Sequence, residues 1–342
     1  MAGSGRFTLI QPACAHSGTD EGWQTAQPNF IKVWESALVS LRTRRITVDR
    51  DTYTVTIDWT NALKRQKRYY TTLKYIYRAR ESMSVDRLLL AKFPKRPSQN
   101  LIHVTTSKTK IPQLLSVAES AVYDAFLMMN FAAPGCCNFY GASIVGDTIE
   151  PNVSLSTDLF DSAAHVYRRQ AWPKIGFIDL QTVIGWYKTV RHGASQIPSN
   201  PIERALFAIL HISKIDISPV EVIWLFYAFE SLLQTKVGEN FASLVRRLCL
   251  LLGTNDEQSN IVRRKMRELY DIRNAIVHGG YEITHPKRDD GLDKRAEESV
   301  MRILNAVDYG YAFLVAAIQT TIIKGWTFPR FDEIVVGHAS QK

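Results

Sequence analysis

The sequence predicts an α+β N-terminal domain followed by an all-α helical bundle. Two patterns carry this. Before residue 200, short runs alternate β-branched or aromatic residues with polar ones, as in Tyr53-Thr54-Val55-Thr56-Ile57, which is the period of a half-buried strand. After residue 200, apolar residues recur at helical spacing through long segments with short joins. A third observation separates the two parts by charge. Residues 1–110 hold 19 Lys and Arg against 8 Asp and Glu, whereas residues 200–342 hold 18 of each. The basic excess therefore lies in the first third, as a surface facing a polyanion requires.

The 342 residues are enough for two domains, and 46% hydrophobic content places the chain among globular proteins. Cys14, Cys136, Cys137 and Cys249 have neither metal-ligand spacing nor the pattern of a disulfide framework, so a reducing cytoplasm is expected, with no metal and no cofactor. His165, His192 and His211 are isolated and read as surface or core histidines. No signal peptide is read at the N-terminus. The longest apolar stretch, 309–323, is interrupted by Gln319, Thr320 and Thr321 and is too short to span a bilayer; it reads as a buried helix, and no membrane partner is expected.

Taken in order, residues 1–27 are rich in Gly, Ser, Thr, Pro and Gln and read as loosely structured. An α+β domain over 28–196 follows, suited to sensing or specificity. It opens with a short amphipathic helix at 30–41, then a hairpin with strands at 46–48 and 53–59 turning at Asp49-Arg50-Asp51. Its basic segment, 42–96, contains one or two helices over 63–92. Lys64, Arg65, Lys67, Arg68, Lys74 and Arg78 are interleaved there with Tyr69, Tyr70, Tyr75 and Tyr77. Cations for phosphates and rings for bases are what a nucleic-acid surface uses. A solvated helix face whose tyrosines pack inward has the same pattern. Beyond it the pattern gives a strand at 101–105, a helix at 111–131 closed by Pro134-Gly135, and a strand within 139–145. Residues 150–199 read as an irregular mixture of short strands and one helix at 178–191.

The polar segment Gln196-Ile197-Pro198-Ser199-Asn200-Pro201 marks a boundary, and Ser199 or Asn200 can cap the helix after it. The bundle, 197–326, has helices at 201–213, from the capping-box pattern Ser218-Pro219-Val220-Glu221 to 234, at 241–252, at 256–278, and a last one ending near 324. A tail, 327–342, remains.

The fourth bundle helix ends Leu269-Tyr270-Asp271-Ile272-Arg273-Asn274-Ala275-Ile276-Val277-His278-Gly279-Gly280, with the glycines supplying the left-handed stop. Asn274 and His278 are four apart and share a face; Arg273 lies on a neighbouring stripe. A guanidinium can hold a phosphate and the charge of its transition state, and an imidazole at a helix C-terminus can deliver a proton. RNA brings its own nucleophile, the 2′-OH, so such a site needs no metal. The competing reading has Arg273 pairing with Asp271 or Glu268 and His278 only capping the helix.

Arg273-Asn274-Ala275-Ile276-Val277-His278 resembles the Arg–His signature of HEPN domains. The resemblance extends over about residues 200–325, through Glu203-Arg204-Ala205-Leu206, Glu221 to Leu233 and Leu244-Val245-Arg246-Arg247-Leu248, in the order found in the Apea-like branch of that superfamily. It implies a HEPN-type helical bundle that dimerises to join two motifs in one cleft. It also implies a metal-independent endoribonuclease, a hydrolase-class nuclease of prokaryotic antiviral defence or toxin systems, with RNA as partner and an antitoxin or a phage component as regulator. Arg273 and His278 match the family pair, Asn274 its polar position, and Glu230 an acidic position near the cleft. An ion pair with Arg273, or a plain surface carboxylate, equally accounts for Glu230. Some HEPN domains are non-catalytic dimerisation or RNA-binding modules, and the alternative function is such a module beside a nucleic-acid-binding or sensing N-terminal domain.

Overall fold

A computed structural model describes residues 3–12, 22–48, 50–79, 97–107, 112–146, 152–214, 218–235, 241–285 and 294–331. The N-terminal part is a five-stranded antiparallel sheet of order β2-β3-β4-β1-β5, formed by β1 (Gly3–Gln11), β2 (Thr43–Val48), β3 (Asp51–Ile57), β4 (Ser98–Thr106) and β5 (Ser143–Val145). The helices of this part are α1 (Gly22–Ser40), α2 (Thr60–Ala79), α3 (Pro112–Ala132), α4 (Asp158–Gln170) and α5 (Leu180–Val190). The helical C-terminal region contains α6 (Pro201–Lys214), α7 (Val220–Leu232), α8 (Phe241–Leu252), α9 (Asp256–Val277) and α10 (Lys294–Lys324).

The hairpin forms as expected, with Ile46 opposite Tyr53. β4 alternates strictly, burying Ser98, Asn100, Ile102, Val104 and Thr106 while Gln99 and Leu101 face outward, the pattern of a sheet with one covered face. Helix α3 packs on β1, β3 and β4, and almost every residue from Ala121 to Ala133 is buried.

Two expectations are corrected. Residues 3–11 are not loose: β1 pairs with β4 over its whole length and with β5 through Thr8, Leu9 and Ile10, and Leu9 is fully buried. Glycine and serine at its start hide the strand by composition, but flanking ladders on both sides satisfy its backbone. Residues 158–170 are helical and not part of an irregular strand mixture. α4 has Asp158 and Asp161 in its first turn, Arg168 and Arg169 in its last, and Leu159, Phe160, Ala163 and Val166 turned inward. The helix expected at 30–41 begins earlier, at Gly22, and the one expected over 63–92 is described only as α2; residues 80–96 lie outside the described set.

The C-terminal helices follow their sequence signals. Asn200 caps α6, its Oδ1 accepting from the Glu203 N–H at 2.8 Å. At α7 the carboxylate half of the expected box forms, Glu221 accepting from the Ser218 N–H at 2.9 Å, while the Ser218 hydroxyl accepts from the Val220 N–H. α9 starts on a complete capping box between Asn255 and Gln258. α10 is long and apolar enough to cross a membrane, but 78% of its apolar window is buried, as in a core helix. It packs along α4 and against α7, α8 and α9, and Gln319 donates to the carbonyls of Phe131 and Gly176 at 2.9 Å each. The buried apolar residues accordingly form one cluster, running from Leu9 to Ile322 without a break near residue 197.

Candidate functional site

The C-terminus of α9 is built as a Schellman turn. Gly279 has φ +72°, the Gly280 N–H donates to Ala275 O at 2.8 Å, and the Gly279 N–H donates to Ile276 O at 3.3 Å. Met266, Leu269 and Ile272 anchor the helix in the core, which fixes where its polar end emerges. His278 is the C-cap residue; its backbone N–H donates to Asn274 O at 2.9 Å and its side chain is exposed. Arg273 and Asn274 are half-buried and joined directly, the guanidinium Nη1 donating to Asn274 Oδ1 at 3.1 Å.

Arg273 forms no ion pair with a described residue. Neither acid named as its partner is engaged by it: Glu268 accepts from Lys265 at 2.8 Å, and Asp271 is exposed. Glu230 is also exposed, near the C-terminal end of α7; its carbonyl oxygen accepts from the Thr235 N–H and Oγ1, and its carboxylate makes no hydrogen bond or ion pair with a described residue. α7 and α9 pack together through Phe226 and Tyr270, ring centroids 5.9 Å apart. Thus Arg273 and Asn274 are brought together, His278 shares their helix end, and Glu230 makes no contact that ties it to them.

On α2 the predicted cations divide between two faces. Lys64, Arg65 and Arg68 line an open groove of about 500 Å³ with Asn61 and the first residues of β4, Ser98 and Gln99. Asn61, Lys64, Arg65 and Arg68 follow i, i+3, i+4, i+7, so the sequence held the signal for Asn61, which spacing alone could have added to the set. The Asn61 amide donates to Gln99 O at 2.7 Å, fixing the groove wall, and Arg65 Nη1 donates to Gln11 O at 2.7 Å, tying the helix to the end of β1. Lys67 points elsewhere and pairs with Glu35 of α1 at 2.6 Å. Lys74 is exposed; the side chain of Arg78 lies outside the described residues.

The tyrosines beside these cations do not offer rings to bases. Tyr70 is fully buried and Tyr69 nearly so, packed edge-to-face at 5.5 Å, with Tyr70 also against Phe30 of α1. The aromatic half of the expected nucleic-acid surface is therefore corrected for these two residues. α2 must cover the core with one face, and its large apolar rings do so. The side chains of Tyr75 and Tyr77 lie outside the described residues.

A further polar constellation was not foreseen. Arg44, Asp124, Tyr187, Arg191 and Glu203 form a buried network. Arg44 donates to Asp124 Oδ2 at 2.9 Å, Tyr187 donates to Asp124 Oδ1 at 2.7 Å, and Arg191 Nη1 donates to Glu203 Oε1 at 2.6 Å. Burial alone would raise the Glu203 carboxyl, but hydrogen bonds from Ser199 and Arg191 outweigh it and hold the group below the usual range. Among the described residues, no group of three or more His, Cys, Asp or Glu is arranged to hold a metal ion. Of the cysteines, Cys136 and Cys137 are buried and Cys249 half-buried. Burial pushes both thiols at 136 and 137 well up, which keeps them protonated and unreactive.

No family model matches the chain, and neither curated proteins nor solved structures give a match.

Proposed function

We propose that the chain is a HEPN-type, metal-independent endoribonuclease of a prokaryotic defence or toxin system, acting in the cytoplasm as a homodimer whose two copies of α9 complete one cleft. The observation that carries this reading is the end of α9. There a guanidinium and an imidazole belong to the same end of a core-anchored helix, and no carboxylate neutralises either among the described residues. An arginine bound only to the neutral Asn274 keeps its charge available for a phosphate. In the proposed reaction Arg273 holds the scissile phosphate and the 2′-OH attacks it. Of the two His278 copies in the cleft, one takes the proton of the attacking 2′-OH and the other protonates the departing 5′-oxygen, leaving a 2′,3′-cyclic phosphate and a 5′-hydroxyl. Asn274 orients Arg273, and Glu230 is the acidic group that would approach from α7.

The test is incubation of the purified chain with total RNA in a chelating buffer, followed by mapping of the new ends. Cleavage yielding cyclic-phosphate ends, abolished in His278→Ala and in Arg273→Ala, is expected. Cleavage that persists in the purified His278→Ala protein overturns the assignment. The groove at Lys64, Arg65 and Arg68 supports a second reading, a non-catalytic module whose N-terminal part binds nucleic acid. That reading gains if no protein cleaves, while RNA binding survives His278→Ala and is lost when Lys64, Arg65, Lys67 and Arg68 are neutralised.

A further inference from the structure

Helix α3 is almost entirely buried, yet one stripe of it is polar. Gln113, Ser116, Ser120 and Tyr123 recur at helical spacing; Ser116 is exposed and the other three are half-buried. They form one wall of a cleft of about 520 Å³, within the range of small-molecule sites. The opposite wall is α6, through Phe207 and Leu210, and the segment after α5, through Arg191 and Ala194. The cleft thus lies where the sheet part meets the C-terminal helices.

Its chemistry is selective. The charged groups around it come in opposed sets. Asp124 accepts from Arg44 and lies 3.6 Å from Arg191, Arg191 binds Glu203, and Glu119 lies within the field of Lys214. At the buried Asp124–Arg191–Glu203 end a charged ligand group would find no uncompensated partner and would be desolvated at a cost, whereas Lys214 and His211, both exposed, line the open side. Hydrogen-bonding groups, by contrast, remain unused among the described residues. Gln113 accepts from Tyr53 through Oε1 at 2.6 Å, and its amide N–H groups make no hydrogen bond. The hydroxyls of Ser116 and Ser120 make none, whereas the Nε of Arg191 is turned to Asp124 Oδ1 at 3.6 Å. Arg191 and Phe207 stack with the guanidinium carbon 5.0 Å from the ring centroid, and Val117 and Leu210 extend the apolar surface.

We propose that this cleft binds an uncharged, flat heterocyclic molecule of nucleoside size, its apolar face against Phe207 and Leu210 and its rim acceptors on Gln113 and Ser120. The site is independent of the RNA-cleavage reading and would exist whether or not α9 is catalytic.

Isothermal titration of the full chain with adenosine, guanosine, cytidine and uridine tests it, with their 5′-monophosphates as charged comparators. One nucleoside is expected to bind, one molecule per chain, with Kd below about 1 mM, and its monophosphate to bind more weakly. Ser120→Leu, which fills the cleft, is expected to weaken binding at least tenfold; Ser116→Leu, at the more exposed rim, serves as the second variant should the first fail to fold. Absence of binding by all four nucleosides overturns the proposal. So does affinity unchanged in a folded leucine variant, or a monophosphate that binds as tightly as its nucleoside.

Discussion

Arg191 and Arg273 carry the same guanidinium in opposite settings. The Arg191 side chain is 7% exposed and engaged by Glu203, by Ser195 O at 2.7 Å and by Asp124. Arg273 is half-buried at a helix end, and among the described residues its one side-chain hydrogen bond is to a neutral amide. The difference lies in what a replacement leaves behind. Removing a member of the first group strands an ion in low dielectric, whereas removing Arg273 or His278 strands nothing. Charged residues that hold this fold together can therefore be separated by experiment from charged residues available to a ligand.

The largest effect is expected at the buried network. Asp124→Ala leaves Arg44 and Arg191 without their shared carboxylate and takes the hydrogen bond from Tyr187; a loss of about 3–5 kcal/mol is expected in denaturant unfolding. A loss below about 1 kcal/mol would erase the contrast with α9.

Asp161 sharpens the comparison because it is a buried carboxylate that accepts from a hydroxyl, Thr157 Oγ1 donating at 2.7 Å, with the Arg168 charge only partly offsetting its burial. Burial raises its carboxyl well above the usual carboxylate range. A raised folded-state pKa means stability present below the unfolded value and lost as pH rises through the folded one. Asp161→Asn, which keeps an acceptor for Thr157, should thus gain on the wild type as pH rises from 4 toward neutrality. Thermal melts across that range check it, and a stability gap that narrows with pH would refute it.

Smaller effects are expected at α9. Gly279→Ala places a Cβ at φ +72° and should cost about 1 kcal/mol, through strain alone, since nothing lies within 4 Å of the added carbon. Smallest of all, Arg273→Ala and His278→Ala should each change stability by no more than about 0.5 kcal/mol, measured on the same proteins used for RNA cleavage. A large loss in either would make that residue part of the framework.

Much of this architecture was legible in the sequence. The β2–β3 hairpin, α3 and every C-terminal helix follow from period and capping, because each signal is local: Asn200 with Glu203, or the Gly279 turn, lies within a few residues. β1 was hidden because Gly3, Ser4 and Gly5 have low strand propensity and the ladder that orders them comes from residue 98 onward. Asp124, Arg191 and Glu203 meet across α3, the end of α5 and α6, and no spacing pairs them. The helix at 111–131 was visible in the sequence; that α6 stands opposite its polar stripe was not. At α2 the inward and outward readings of the tyrosines were equally compatible with the pattern, and only packing chose between them.

One consequence of α10 remains. Thirty-one residues at 1.5 Å each make a rod of about 46 Å. Its first half lies beside α9, where the Tyr281 and Ser299 hydroxyls meet at 3.4 Å, and its second half is wedged beneath α3 and α4 by Gln319 and its apolar neighbours. A rod seated in both places cannot shift at one end alone. A displacement at the Arg273 end of the molecule that moves α10 therefore bears on its contacts with α3 and α4, and a cut near residue 197 would strip α10 from the N-terminal part of the shared core.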